Sequence, residues 1–184
     1  HIGLARALAK DPKMRQRRRS IITAPAQVRS VGEAVFAAED LHSIAKAQAE
    51  SQSEERNARE KAELMRQLGM EEGQTPASHQ RARIRELEEE QKRRSKRAIQ
   101  DALDRALVDL LGIYRDVLMR QLGSDQEPIN DDCVDLIEEL ATRSTPQQTM
   151  KRVQAIEDAR KRLTTNMSVP LILEAMTLSL RPQV

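Results

Sequence analysis

Apolar residues recur along most of this chain at helical spacing, and the punctuation between the runs predicts where each helix begins and ends. Ile2, Leu4, Ala5 and Leu8 read as the end of a helix that Asp11-Pro12 stops, because a residue before proline is pushed out of the α region. A basic connector over 11–30 follows, and its apolar pair Ile21-Ile22 suggests that part of it packs. From Val31 to Leu68 there is no proline, and Val35, Ala38, Leu41, Ala45 and Ala49 share one helical face, so a single long helix is expected. Beyond Glu50 that helix has almost nothing to bury, and a helix polar all round leaves the globular core.

Gly69, Gly73 and Pro76 mark a turn. A second long helix then runs from about Ser78 to Leu122, thinly apolar at Ile84 and Leu87 and densely so from Ile99 through Leu103, Leu107, Leu110, Leu111, Tyr114 and Leu118. Two helices with charged distal halves and apolar proximal halves, joined by a short turn, predict an antiparallel hairpin over 50–97 protruding from a helical body. Arms of about 20 residues would reach on the order of 30 Å. Gly123 is placed to end the second helix. Asn130 stands at an expected N-cap before a short helix whose face is Val134, Ile137, Leu140 and Ala141. Thr145-Pro146-Gln147-Gln148 carries a capping box and opens a helix with Met150, Val153, Ile156 and Leu163. A last helix, from about Ser168 to Leu180, is apolar nearly all round and is expected to be deeply buried.

Composition agrees with an all-α fold: of 184 residues only Phe36 and Tyr114 are aromatic, and the common residues are strong helix formers. One third of the chain is charged, yet the net charge is only +2. The distribution is uneven, since residues 1–30 hold eight Lys or Arg against one Asp while 98–184 carry a net −4. The lone Cys133 cannot form an internal disulfide, and no apolar span is long enough to cross a membrane, so a cytoplasmic setting without a membrane partner is expected. The chain enters its first apolar run at once, from His1, which suggests that it was cut from a longer protein.

No phosphate-binding loop, nucleophile elbow, dinucleotide fingerprint or metal-ligand spacing is present, so neither an enzyme nor a cofactor nor a small-molecule substrate is expected. His1, His42 and His79 are isolated in sequence, and Cys133, although it follows Asp131-Asp132 near a helix start, has no base nearby. Glu86 to Glu90 followed by Lys92-Arg93-Arg94 suits a solvated helix face. Arg15, Arg17, Arg18 and Arg19 are candidates for contact with nucleic-acid phosphates or with another domain, the latter favoured because no aromatic residue accompanies them to stack a base.

Ala102–Leu118, with its Tyr114-Arg115-Asp116-Val117-Leu118 signature, resembles the long collar helix of bacterial DNA polymerase III clamp-loader subunits of the delta-prime and gamma type, and two further segments follow in the same order. Ile129-Asn130-Asp131 resembles the start of the next helix, and Asn166, Leu171, Leu173-Glu174-Ala175-Met176 and Leu180 resemble the closing pattern. The opening His1–Ala9 resembles the last helix of an AAA+ lid subdomain, with Gly3 where ATP-binding members carry a sensor arginine, as suits delta-prime. The charged 50–97 segment resembles an insertion in the actinobacterial form of delta-prime, and 23 Arg against 8 Lys suits a GC-rich genome.

The resemblance implies a lid end over 1–10, a connector over 11–30 and a collar bundle over 31–180. It implies a non-catalytic role holding a five-membered ring with gamma or tau and delta subunits, which loads the sliding clamp on primed DNA. An assembly domain must show the apolar patch it normally buries. Val108, Ile113, Val117, Met119, Leu178 and Leu180 are the expected contributors, because the long helices carry more apolar positions than one face can bury. The alternatives are a sequence-independent nucleic-acid-binding domain using Arg15 to Arg19, and a coiled-coil scaffold. Against the latter, the hairpin has too few apolar positions to sustain several heptads.

Overall fold

The computed structural model describes the backbone of residues 12–70 and 75–182, with side chains from residue 18 onward. The expected lid end over 1–10, with Gly3 and Arg6, lies outside the described residues. Six α-helices and one 3-10 turn make up the described chain, which contains no strand. They are α1 (Pro12–Ala26), α2 (Val31–Gln67), α3 (Ser78–Gln121), a 3-10 turn (Asp131–Cys133), α4 (Val134–Arg143), α5 (Pro146–Leu163) and α6 (Val169–Leu180). They form two compact units, one of His1–Ile44 with Leu103–Val184 and one of Ala45–Ala102.

The first unit holds the core. Leu103, Leu107, Leu110, Ile113, Tyr114 and Val117, spaced by three and four, form the buried stripe of α3. The same unit also buries Leu136, Ile137 and Leu140 of α4, Ile156 and Leu163 of α5, and Ile172, Leu173, Met176 and Leu180 of α6. Helices α5 and α6 pack on each other, and α1 touches α6. Val28, Ala34 and Ala37 form a small cluster that Leu178 covers, and Thr177 Oγ1 donates to the Ala34 carbonyl at 2.8 Å, tying α6 to the start of α2.

Helix ends follow the chemistry of their sequences. Gly123 has φ of 70°, where a Cβ is strained, and the Ser124 and Gly123 amides close on the Met119 and Arg120 carbonyls in a Schellman ending. Gly69 (φ 63°) ends α2 in the same way on Met65 and Arg66. Thr145 and Gln148 make the expected reciprocal capping box. At the start of α2, Ser30 Oγ accepts the Glu33 amide at 3.1 Å while the Glu33 carboxylate accepts the Arg29 amide at 2.8 Å.

The stretch beginning at Pro12, within the expected basic connector, is helical to Ala26: Pro12 takes the first position, where no amide hydrogen is needed, and Ile22 and Ala26 are buried. Two expectations are corrected here. Asn130 makes no side-chain cap. Its amide is committed elsewhere, and the 3-10 turn that follows shifts the phase of α4, leaving Val134 41% exposed and burying Leu136 instead. Helix α6 is not deeply buried all round, because Leu171 is 61% exposed.

The second unit is an antiparallel helical pair. Gln80 Nε2 donates to the Leu68 carbonyl at 3.0 Å, Lys61 meets Glu88 at 3.1 Å and Gln91 Nε2 donates to the Asn57 carbonyl at 3.1 Å, so positions ascend on one arm as they descend on the other. No described residue from 50 to 97 is buried. Polar contacts therefore set the register that a hydrophobic seam would otherwise set. The best formed joins Arg94 to Glu60, with Asn57 and Arg56 alongside, and these guanidinium bonds hold the Glu60 carboxyl down at about 2. A groove of about 550 Å³ between the arms is lined by Leu64 and Leu87 amid charged residues.

Candidate assembly surface

The segments 102–118 and 129–131, separate in sequence, meet at one buried polar centre. Asp116 on α3 is 2% exposed, and its Oδ2 accepts both the Asn130 amide at 2.9 Å and Asn130 Nδ2 at 2.7 Å. Arg115 Nη1 donates to the other carboxylate oxygen at 2.6 Å. Asn130 Oδ1 in turn accepts from Arg18 Nη2 at 2.6 Å. Gly112, one turn below Asp116, faces the same amide: a Cβ there would rest in van der Waals contact, 3.4 Å from Asn130 Nδ2. The centre fixes the loop after α3, and so the entry angle of α4, by satisfying groups that would be costly to bury alone.

Arg18 carries the centre across to α1. Its Nε lies 3.1 Å from Asp109, too poorly aligned for a hydrogen bond, and Nη1 is 3.4 Å from Asp132. Arg19 donates to the Asp132 carbonyl and pairs with Asp135. Further along, Gln27 and Arg29 both reach Glu139 on α4, at 2.9 and 3.3 Å. Two of the four arginines considered for phosphate contact thus face acids of their own chain. Arg15 and Arg17 lie on the same helix, with side chains outside the described residues.

The six apolar residues expected at an interface divide. Ile113 and Val117 are fully buried and Leu180 is 2% exposed, so these three belong to the internal core and have no surface to offer. Val108 is 45% exposed, and Met119 and Leu178 are half-buried. Exposed apolar residues missed by the sequence reading include Leu122 (65%) and Ile129 (72%) in the chain between α3 and α4, and Val134 at the start of α4. Next to it is a cleft of about 150 Å³ in which Met119, Pro128, Val134 and Ile137 are rimmed by Arg115, Arg120 and Glu138. The missed signal was the loop itself, since Leu122 and Ile129 flank Gly123 and Pro128, beyond any helix that could bury them.

Catalytic or metal-binding groups do not converge among the described residues. Among those residues there is no cluster of His, Cys, Asp or Glu able to hold a metal ion, and no helix long and apolar enough to cross a membrane. Cys133 is buried, and burial with the Asp132 charge beside it pushes its thiol up to about 11, which keeps it protonated and unreactive.

Residues 82–181 match the family model described as DNA polymerase III, delta subunit, C terminal. The chain belongs to this family. The match contains all of the first unit's helical core from Leu103 to Leu180, the Asp116–Asn130 centre included. Among curated proteins the chain is similar to DNA polymerase III subunit delta' of Bacillus subtilis (strain 168), 38% identical over 72 residues. That stretch is 39% of this chain and 22% of the relative, so the chain spans about a fifth of the protein it matches. No solved structure matches. Together these findings bear out the delta-prime resemblance carried by Ala102–Leu118, Ile129-Asn130-Asp131 and Leu171–Leu180, and an all-helical delta C-terminal domain is the fold described above.

Proposed function

We propose that this chain is the collar of a delta-prime clamp-loader subunit, an assembly domain that packs beside gamma or tau and delta subunits in a five-membered ring. Through that ring the parent protein acts in the cytoplasm to place the sliding clamp on primed DNA. Its work is positional, with no bond made or broken. The observation that carries this reading is exposed apolar surface, at Val108, Leu122, Ile129 and Val134, on a family domain whose core is already filled. A rigid helical core with apolar side chains left outside has the make-up of a surface kept for a partner.

The experiment is substitution of exposed apolar residues by charge, Val108→Glu and Leu122→Glu, read as affinity for the purified gamma-type subunit by calorimetry. Each is expected to weaken binding at least tenfold while helical content and melting temperature stay unchanged. Binding equal to the unsubstituted chain by both variants contradicts the reading. The nucleic-acid alternative loses support because Arg18 and Arg19 are spent on Asp109, Asp132 and Asp135. It would return if the chain bound DNA with a steep salt dependence that Arg18→Gln abolished.

A further inference from the structure

Beside the core of the first unit is a cation with no counter-charge among the described residues. Arg152 on α5 is only 5% exposed, and no hydrogen bond or ion pair to a described residue engages it; its guanidinium nitrogens, unlike Tyr114 Oη, are not sealed from solvent. Nearby, the hydroxyl of Tyr114 on α3 is buried without a partner. Two contacts fix the register that brings them together. Thr149 Oγ1 donates to Gln121 Oε1 at 2.9 Å and Arg160 Nε donates to Asp104 at 2.7 Å, so α3 and α5 run antiparallel, with Arg152 coming opposite the turn that carries Tyr114. Their proximity is also felt electrostatically: the Arg152 charge pulls the phenol down, against burial that pushes it up to about 12.

The other strongly buried polar side chains are satisfied. Asp116 and Asn130 bond to each other, Thr149 to Gln121 and Thr177 to Ala34. Native interiors rarely leave a charge unmatched, because an uncompensated ion in a low-dielectric site is strongly destabilising. Arg152 and Tyr114 offer six polar hydrogens between them, five from the planar guanidinium, and Arg152 offers no acceptor. The complement it fits is an anionic acceptor that offers two oxygens to the planar fork, and on a protein partner that group is a carboxylate. Tyr114 Oη is closed off, whereas Arg152 keeps a sliver of surface, so the acceptor enters at Arg152. The rim points to a protein as its source: Met150, two residues away on α5, is 51% exposed, and exposed Lys151 adds charge of the same sign to the approach. A largely buried arginine that still opens to the surface, beside an exposed methionine, has the composition of an interface anchor.

We propose that Arg152, with Tyr114 beside it, is the socket for an acidic side chain of a neighbouring subunit. This rests on the assembly reading above and adds a second, charge-specific anchor on α5, apart from the apolar surface between α3 and α4. An aspartate or glutamate from the partner completes the ion pair, and the bond exists only in the complex.

The test uses the full chain with the purified neighbouring subunits, comparing Arg152→Met, Arg152→Lys and Tyr114→Phe with the unsubstituted protein. Arg152→Met is expected to keep the fold, with an unlowered melting temperature, and to weaken association at least tenfold. Arg152→Lys keeps the charge without the fork and should lose part of the affinity, and Tyr114→Phe less. Where Arg152→Met fails to fold, Arg152→Lys supplies the measurement. Association of the folded variants at the unsubstituted affinity overturns the proposal. So does a rise in melting temperature with acetate or inorganic phosphate that Arg152→Met abolishes while association is unchanged, which would make the site one for a free anion. If the unsubstituted chain fails to associate at all, the assembly reading itself has failed, and the socket with it, before any substitution is compared.

Discussion

Removing the Asp116 carboxylate should uncouple the loop after α3 from the bundle, with a cost that can be worked from its bonds. Asp116→Ala strips the acceptor from the Asn130 amide and from Asn130 Nδ2, both buried, which bond it at 2.9 and 2.7 Å. Each orphaned donor costs about 1–3 kcal/mol, so the substitution should destabilise the first unit by about 2–6 kcal/mol. For a chain of this size that is a fall in Tm of roughly 4–24 °C. Asp116→Asn keeps a neutral acceptor and loses only the charge assistance and the Arg115 pair, which is half exposed, so about 1–2 kcal/mol is expected. The assay is urea unfolding followed by tyrosine fluorescence, which isolates this unit because Tyr114 is the single tyrosine, there is no tryptophan, and the side chain sits in the core two residues from Asp116. A double-mutant cycle with Asn130→Ala should return a coupling of about 1–3 kcal/mol. Asp116→Ala within about 0.5 kcal/mol of the unsubstituted chain, the range of an ordinary surface change, would refute the claim that this centre is a fully desolvated network.

Further outcomes follow from the perturbed groups. Tyr114, pushed up to about 12 by burial from an ordinary 10.0, contributes stability that is complete below pH 10 and is lost as pH rises toward 12; tyrosinate absorbance should therefore appear together with loss of helix, above pH 10. Cys133, with its thiol at about 11, should be inert to thiol reagents at neutral pH and react fully once the chain is unfolded; fast reaction of the native chain would contradict its burial. Glu60, held at about 2 against an ordinary 4.5, lends the hairpin a contribution present above pH 4.5 and lost as pH falls through 2, so Glu60→Gln should remove that acid transition from the circular dichroism titration. The effect should be small and weakened by salt, since both partners are more than a quarter exposed.

The long helices, their glycine endings and the capping box of α5 were legible because local chemistry decides them: glycine at positive φ and a Thr-Pro-x-Gln start work in nearly any context. The stripe from Leu103 to Val117 was legible for a related reason, since burial simply follows the helical period. What stayed hidden was the choice among several possible apolar faces. Helix α5 buries Thr149 and Arg152 with Ile156, Ala159 and Leu163, and leaves Met150 outside. No reading of apolar periodicity selects a face containing an arginine. The same gap explains why Ile113, Val117 and Leu180 were expected at the surface. The polar centre was out of reach for another reason, because Asp116, Asn130 and Arg18 are more than a hundred residues apart at the extreme and each reads locally as something else: a helix-surface acid, an N-cap and a member of a basic run. Only the family resemblance pointed at Asp116 and Asn130, without saying that they touch.

The assembly claim is tested most directly by the mass of the chain in solution, alone and mixed with purified gamma-type subunit, using light scattering behind a sizing column. A new peak at the summed mass of the two proteins, at micromolar concentrations, is the expected result. Two unshifted peaks at tens of micromolar would contradict the account and leave the exposed apolar surface between α3 and α4 without the partner assigned to it.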